Sequence, residues 1–162
     1  MRYKLPNGFY IFLFVILLIA NTSVYKTILS PNILSVSVLE VGKGRAVLVK
    51  IPENNIVLID TGPDASILRA LGESLPVWRR DIDAVILTSS AAGSASGLSS
   101  VQSRYHVTTV IKIGNATIPY GTSFVFGNSR VEILAPSTLQ ISSGSSVFNI
   151  SSSTPSGVYY FN

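Results

Sequence analysis

From Phe9 to Ala20 every residue is apolar, in the order Phe-Tyr-Ile-Phe-Leu-Phe-Val-Ile-Leu-Leu-Ile-Ala. Asn21, Thr22 and Ser23 are polar but uncharged, and Val24, Tyr25, Ile28 and Leu29 carry the apolar character on. A helix from Gly8 to Leu29 meets the length of about 20 residues that a bilayer crossing needs. A signal peptide is the rival reading, because the outer third of the run is weak. No small-x-small cleavage signal is clear around Ala20, which favours an uncleaved anchor. Arg2 and Lys4 precede the run and only Lys26 closely follows it. That asymmetry places the N-terminus in the cytoplasm and the remainder outside it.

Ser30-Pro31-Asn32 then breaks the pattern and reads as a linker. From Ile33 to Val41 apolar and small polar residues alternate, the mark of a half-buried strand. Gly42-Lys43-Gly44 is a turn signal, and Ala46 to Ile51 is a β-branched strand. Pro52-Glu53-Asn54-Asn55 reads as a hairpin turn back into Ile56–Ile59. Asp60-Thr61-Gly62-Pro63-Asp64 leaves that strand and opens a helix, with Asp64 placed to cap free backbone N–H groups. Ile67, Leu68 and Leu71 keep helical spacing, and Gly72 and Pro76 end the helix. Asp83 to Thr88 is apolar at its centre throughout, which suits a strand covered on both faces. Ser89 to Ser103 is rich in serine, alanine and glycine, with Leu98, Val101 and Tyr105 marking a short helix. Val107–Ile113 is strand-like, Thr122–Phe126, Arg130–Leu134 and Val147–Ser151 read as a second set of strands paired antiparallel, and Val158–Phe161 reads as a last strand. No internal repeat is visible. The order predicts an α/β domain: a mixed sheet with helices on one face and antiparallel pairs at its edge.

The chain thus divides into residues 1–30, an anchor or signal peptide, and a domain over 31–162, long enough for one modest core. Composition sharpens this only in part. Mean hydropathy is +0.45 and 12% of residues are charged, which agrees with a membrane segment. Of the 12 basic residues, Arg2, Lys4 and Lys26 lie in residues 1–30, which hold no acid; the other nine meet 8 acidic residues. The domain is nearly neutral and shows no basic stripe of the kind a nucleic-acid binder carries. Arg79-Arg80 is the one basic pair, diluted by Asp81 and Asp83, and reads as a solvated loop. Cysteine is absent, so disulfides and thiolate metal sites are excluded.

Between Leu39 and Leu98 the residues resemble a known family. Leu39-Glu40-Val41-Gly42-Lys43-Gly44-Arg45-Ala46 is similar to the "LDVGQGDA" strand and turn that opens the metallo-β-lactamase-like domain of ComEC, the bacterial DNA-uptake channel. Val57-Leu58-Ile59-Asp60-Thr61-Gly62 resembles its "ILIDTG" strand. Leu71–Pro76, Asp81–Thr88, Gly97-Leu98 and Tyr105-His106-Val107 continue the likeness in order. It covers Val36 to Ile113 well and Pro119 to Ser151 loosely. It implies a metallo-β-lactamase-like half-sandwich after one membrane helix, on the bacterial cytoplasmic membrane with the domain outside. In the active family "THPDADHIGG" follows the strand ending at Thr88. Its histidines fall on Ser89 and Ser94, and its aspartates on Ala91 and Gly93. None of these four supplies the imidazoles and carboxylates that hold zinc or manganese. No metal or other cofactor is therefore expected. The resemblance further implies that the second half of the family's fold, with more ligands, is missing beyond Phe161-Asn162.

The remaining chemistry is sparse. His106, the sole histidine, matches no ligand position of the family. Asp60 matches a position that supports the metal loop from behind, and here reads as a turn-forming carboxylate. Gly93-Ser94-Ala95-Ser96-Gly97 has alanine where a nucleophile elbow has serine, and the small residues allow this loop to collapse into the space metals would fill. Lys43 and Arg45 put two cations on a glycine turn, an anion contact if any. Asn115-Ala116-Thr117 and Asn149-Ile150-Ser151 fit the glycosylation sequon but carry little weight for a bacterial chain.

Two readings follow. One is a membrane-anchored, catalytically inactive domain that binds a partner protein, such as a membrane channel, or DNA near an uptake system. The other is a metal-dependent phosphodiester hydrolase with an unrecognised site, whose activity would depend on Asp60 or His106. A truncated product with an incomplete core is a third possibility, and its open edge strand would invite pairing with another chain.

Overall fold

A computed structural model describes residues 7–29, 33–89, 91–113, 121–135, 138–151 and 153–161, with side chains over 8–20 in the first segment. The chain divides into two compact units, Met1–Pro31 and Asn32–Asn162.

The first unit is helix α1, Asn7–Leu29. Its run of aliphatic and aromatic residues has neither glycine nor proline after Gly8 to interrupt it. Every described side chain of α1 is exposed, from Phe9 at 45% to Ile11 at 65%. Among the described residues, no helix is long and apolar enough to cross a membrane, so the expected crossing is not met there. The linker Ser30-Pro31-Asn32 and the first sequon, at Asn115, lie outside the described residues.

The second unit is built on two sheets. The first has six strands in the order β10-β1-β2-β3-β4-β5. They are β1 Leu34–Val41, β2 Gly44–Ile51, β3 Asn55–Ile59, β4 Asp81–Leu87, β5 His106–Lys112 and β10 Gly157–Phe161. β10, β1, β2 and β3 pair antiparallel; β3, β4 and β5 pair parallel. Parallel neighbours need crossovers, and two helical stretches provide them. Helix α2, Ser66–Ser74, links β3 to β4; short α3, Ala92–Ala95, and α4, Leu98–Arg104, link β4 to β5.

Period-two alternation in the strands divides the apolar residues between two faces. Leu34, Val36, Val38, Val47, Val49, Ile51, Val57, Ile59, Ala84 and Ile86 face one way. Val41, Ala46, Leu48, Ile56, Leu58, Val85 and Leu87 meet Ile67, Leu71 and Leu75 of the α2 segment and Val101 and Tyr105 of the α4 segment. The expected mixed sheet with helices on one face is therefore present.

The later strands pair antiparallel as expected, but their place differs. They do not extend the edge of the first sheet; they form a second, antiparallel sheet, β6-β7-β8-β9. Its members are β6 Ser123–Phe126, β7 Ser129–Ala135, β8 Thr138–Ser143 and β9 Ser146–Ile150. Val131, Ile133, Leu139, Ile141 and Ile150 pack against the free face of the first sheet. The physical reason is that face. With helices on one side only, ten apolar residues of the first sheet would stay wet unless a second layer covered them. β8 was not expected, because Thr138, Gln140 and the serines leave only Leu139 and Ile141 as inward signals. The predicted hairpin turn is a 3₁₀ turn, Pro52–Asn54. α2 runs through Gly72 to Ser74, and Asp64 accepts the Ser66 N–H at 2.8 Å.

Candidate functional site

β3, β4 and β5 are parallel, so their C-terminal ends lie together, where ligands of open α/β sheets usually bind. Three segments meet there: the Asp60–Gly62 loop after β3, the Thr88–Gly97 loop after β4, and the β1–β2 hairpin at Gly42–Gly44.

Asp60 sits in the left-handed region at φ 57°, a conformation that Asp tolerates better than most residues. Its N–H donates to the Ile86 carbonyl at 2.8 Å. Its carboxylate accepts the Thr88 N–H at 2.8 Å and the Thr88 hydroxyl at 2.6 Å. Burial pushes its carboxyl above the ordinary carboxylate range, and the two Thr88 bonds act in the opposite direction. The group joins the ends of β3 and β4.

The next turn closes over it. The Ser94 carbonyl accepts both the Thr61 N–H at 2.7 Å and the Thr61 hydroxyl at 3.1 Å. The Gly97 N–H donates to the Gly62 carbonyl at 3.0 Å. Glycine is required at the contact: a Cβ on Gly97 would lie 2.2 Å from the Thr61 carbonyl oxygen, and one on Gly62, at φ 72°, 2.3 Å from Val41 Cγ2. A Cβ on Gly44 would come within 2.7 Å of the Gly93 carbonyl oxygen, so the hairpin is part of the same packed cluster.

The four positions matched to the family's metal loop fall on this flap. Ser89 Oγ accepts the Ala91 N–H at 3.0 Å, and Ala91 and Gly93 are exposed. Ser94 contributes its carbonyl, as above. Zinc or manganese needs several imidazoles and carboxylates converging within about 2.0–2.2 Å of each ion. Among the described residues, no group of three or more His, Cys, Asp or Glu side chains meets that requirement, and both Asp60 oxygens are bonded to Thr88. The donors present do not fit a metal pair.

Lys43 and Arg45 belong to the same end, but Glu40 pairs with Arg45 across the β1–β2 ladder, and Ser156 Oγ donates to Glu40 at 2.8 Å. A carboxylate thus sits beside the two cations. His106 does not belong here. It opens β5 opposite Asp81 at the start of β4, a strand's length or roughly 20 Å from the Asp60 end. Asp60 and His106 cannot serve one reaction centre, and Ser94 has no histidine near it. Arg79 proves to be a structural tie and not a solvated loop residue. Its guanidinium donates to the Asn54 carbonyl at 2.6 Å and the Asp81 carbonyl at 3.2 Å, and approaches Asp83 at 3.6 Å. Asp83 in turn accepts the Ile56 N–H at 2.7 Å. Asn149 accepts a bond from Gln140 Nε2 at 3.0 Å across β8 and β9.

No family model matches the chain, and no curated protein matches it. Solved structures do. A metallo-β-lactamase from Cronobacter sakazakii with a HARLDQ motif is similar at a TM-score of 0.51 and 14% identity, over 66% of this chain and 52% of that one. MEM-A1, a subclass B3 metallo-β-lactamase from a soil metagenome library, is similar at 0.50 and 12% identity, over 71% and 58%. The chain spans a little over half the length of these structures. Sheet on sheet with helices on an outer face, matched at this level over about two thirds of the chain, shows a metallo-β-lactamase-like fold.

Proposed function

We propose that this protein is a membrane-attached, catalytically inactive metallo-β-lactamase-like domain that binds a partner near a DNA-uptake system, as the resemblance to the extracytoplasmic domain of ComEC implies. The observation that carries the inactive reading is the Ser94 carbonyl bound to both Thr61 donors. It pins a ligand-free flap onto the end of the sheet where this fold would otherwise open a site. Membrane attachment is supported by α1, whose exposed side chains from Phe9 to Ile19 are apolar on all faces. The Arg2 and Lys4 flank supports an orientation with the N-terminus on the cytoplasmic side of the bacterial membrane and the domain outside. The partner is a membrane channel protein or DNA, and Lys43 is the exposed cation at the flap end.

The test is metal content by mass spectrometry on the full chain, purified without chelator and then incubated with zinc and manganese. We expect no retained metal and no hydrolysis of phosphodiesters. One or two tightly held ions per chain would overturn the inactive reading in favour of a metal-dependent phosphodiester hydrolase.

A further inference from the structure

The opposite end of the domain has its own character. β1, β3, β4 and β5 all start there, because β1 and β3 are both antiparallel to β2, while β3, β4 and β5 are parallel. The chain therefore enters the domain at this end, directly after the apolar helix in sequence. Here the link from α2 to β4 presents Val77 and Trp78, each 81% exposed, the most exposed large apolar side chains of the described residues. Two adjacent, bare hydrophobes at a turn are costly in water. Trp78 is also the chain's only tryptophan.

Beside them lies a shallow cleft of about 500 Å³ lined by Arg80, Gln102, Arg104, Tyr105 and His106. The His106 N–H donates to the Arg80 carbonyl at 2.7 Å, which fixes the cleft's floor. Arg80, Arg104 and His106 are exposed, and neither arginine forms an ion pair among the described residues. The nearby charges are largely occupied. Arg79 and Asp83 approach each other, Glu73 pairs with Arg69, and Lys50 donates to the Ser74 carbonyl at 2.7 Å. Glu73 and Asp81 are the exposed acids among them, and Glu73 is the one paired with Arg69.

We propose that this end of the domain rests on an anionic lipid surface, with Trp78 and Val77 at headgroup depth and Arg80 and Arg104 against lipid phosphates. The inference rests on the membrane reading of α1. Tryptophan favours the interface because its ring is apolar and its N–H remains able to donate. Arginine next to it meets phosphate oxygens with a planar, multiply donating group. Such contacts would hold the domain against the bilayer and leave the Asp60 end pointing away from it.

The single tryptophan makes this directly measurable. The full chain is placed in phosphatidylcholine vesicles containing phosphatidylglycerol, and vesicle flotation is followed together with Trp78 emission. Quenching by lipids brominated near the headgroup is compared with quenching by aqueous iodide. The expected result is co-flotation, blue-shifted emission, strong quenching by brominated lipid, and iodide quenching reduced at least about twofold. Charge reversal in Arg80→Glu/Arg104→Glu should weaken the domain's lipid contact roughly fivefold per arginine, taken from the usual strength of basic side chains at acidic membranes. It should return the emission towards its aqueous position without releasing the chain from the vesicles. Co-flotation with Trp78 still emitting as in water overturns this inference and leaves the anchor standing. Failure to float overturns the anchor reading and this inference with it.

Discussion

Asp60 is the residue whose environment makes the sharpest demands. Replacement by alanine strands the Thr88 N–H and hydroxyl and puts a side chain without a local acceptor at φ 57°. The expected loss is about 3 kcal/mol of folding stability, read from urea unfolding in mild detergent. Asp60→Asn keeps an acceptor and a donor for Thr88 and tolerates the backbone, so it should fold nearly as well. Its pH profile should differ. Burial raises the Asp60 carboxyl in the folded protein, so the folded chain holds that proton more firmly than the unfolded chain. The contribution is fully present below the ordinary carboxylate range and is lost as pH rises through the raised value. Wild type should therefore lose stability relative to Asp60→Asn as pH rises from the ordinary carboxylate range through the raised value. A flat or rising difference would mean that the Thr88 bonds outweigh burial. Arg79 is a quieter case, since its partners are mostly backbone carbonyls. Arg79→Ala should cost about 1–2 kcal/mol.

At the scale of elements, the flap that spans α3 is set by its glycines. Gly97→Ala forces a Cβ onto the Thr61 carbonyl oxygen, and Gly62→Ala forces one onto Val41 at a positive φ. Each should destabilise by roughly 2–4 kcal/mol, from overpacking together with left-handed strain at Gly62. Gly72→Ala is the control. It lies in α2 with open space around it, so alanine should be neutral or gain up to about 1 kcal/mol. Thermal unfolding of the three variants ranks them. Amide exchange adds an independent reading: if the flap is pinned, Thr61 and Gly97 N–H should exchange far more slowly than the exposed Lys43 N–H.

At the scale of the molecule, the first sheet is the middle layer between helices and a second sheet. Ile141, fully buried between the sheets, and Leu71, fully buried under the helices, sample the two interfaces. Alanine at either position should cost about 2–5 kcal/mol. Because both cores share β1 to β4, each variant should still unfold in one transition by near- and far-ultraviolet dichroism. Two separated transitions would mean that the second sheet is an independent unit. Phe148 stacks near Tyr159 and Phe161 at ring distances of 5.0 and 4.9 Å. These contacts tie β9 to β10, so the last strand belongs to the same assembly.

Much of this was legible in the chain. Alternation, β-branched runs and, for β4, an unbroken apolar run between turn signals located β1 to β7, β9 and β10 to within a residue or two. The Asp60-Thr61-Gly62 turn and the ligand-poor segment from Ser89 to Ser94 were readable as residue identities, since a side chain without a donor cannot acquire one by folding. Tertiary structure decided the rest. β8 was hidden because two inward residues make too short a pattern. The stacking of the second sheet depends on how much apolar surface the first leaves uncovered, a sum over the whole domain that no local window contains. Arg79 looks solvated in the sequence because its acceptors, Asn54 and Asp81, lie on separate turns that meet only after the sheet forms. His106 and Asp60, both available from composition, were separated by strand direction alone. The sequence by itself determined which side chains exist and where the chain alternates; only the fold decided which of them share an end of the sheet, because parallel and antiparallel pairing cannot be distinguished by period.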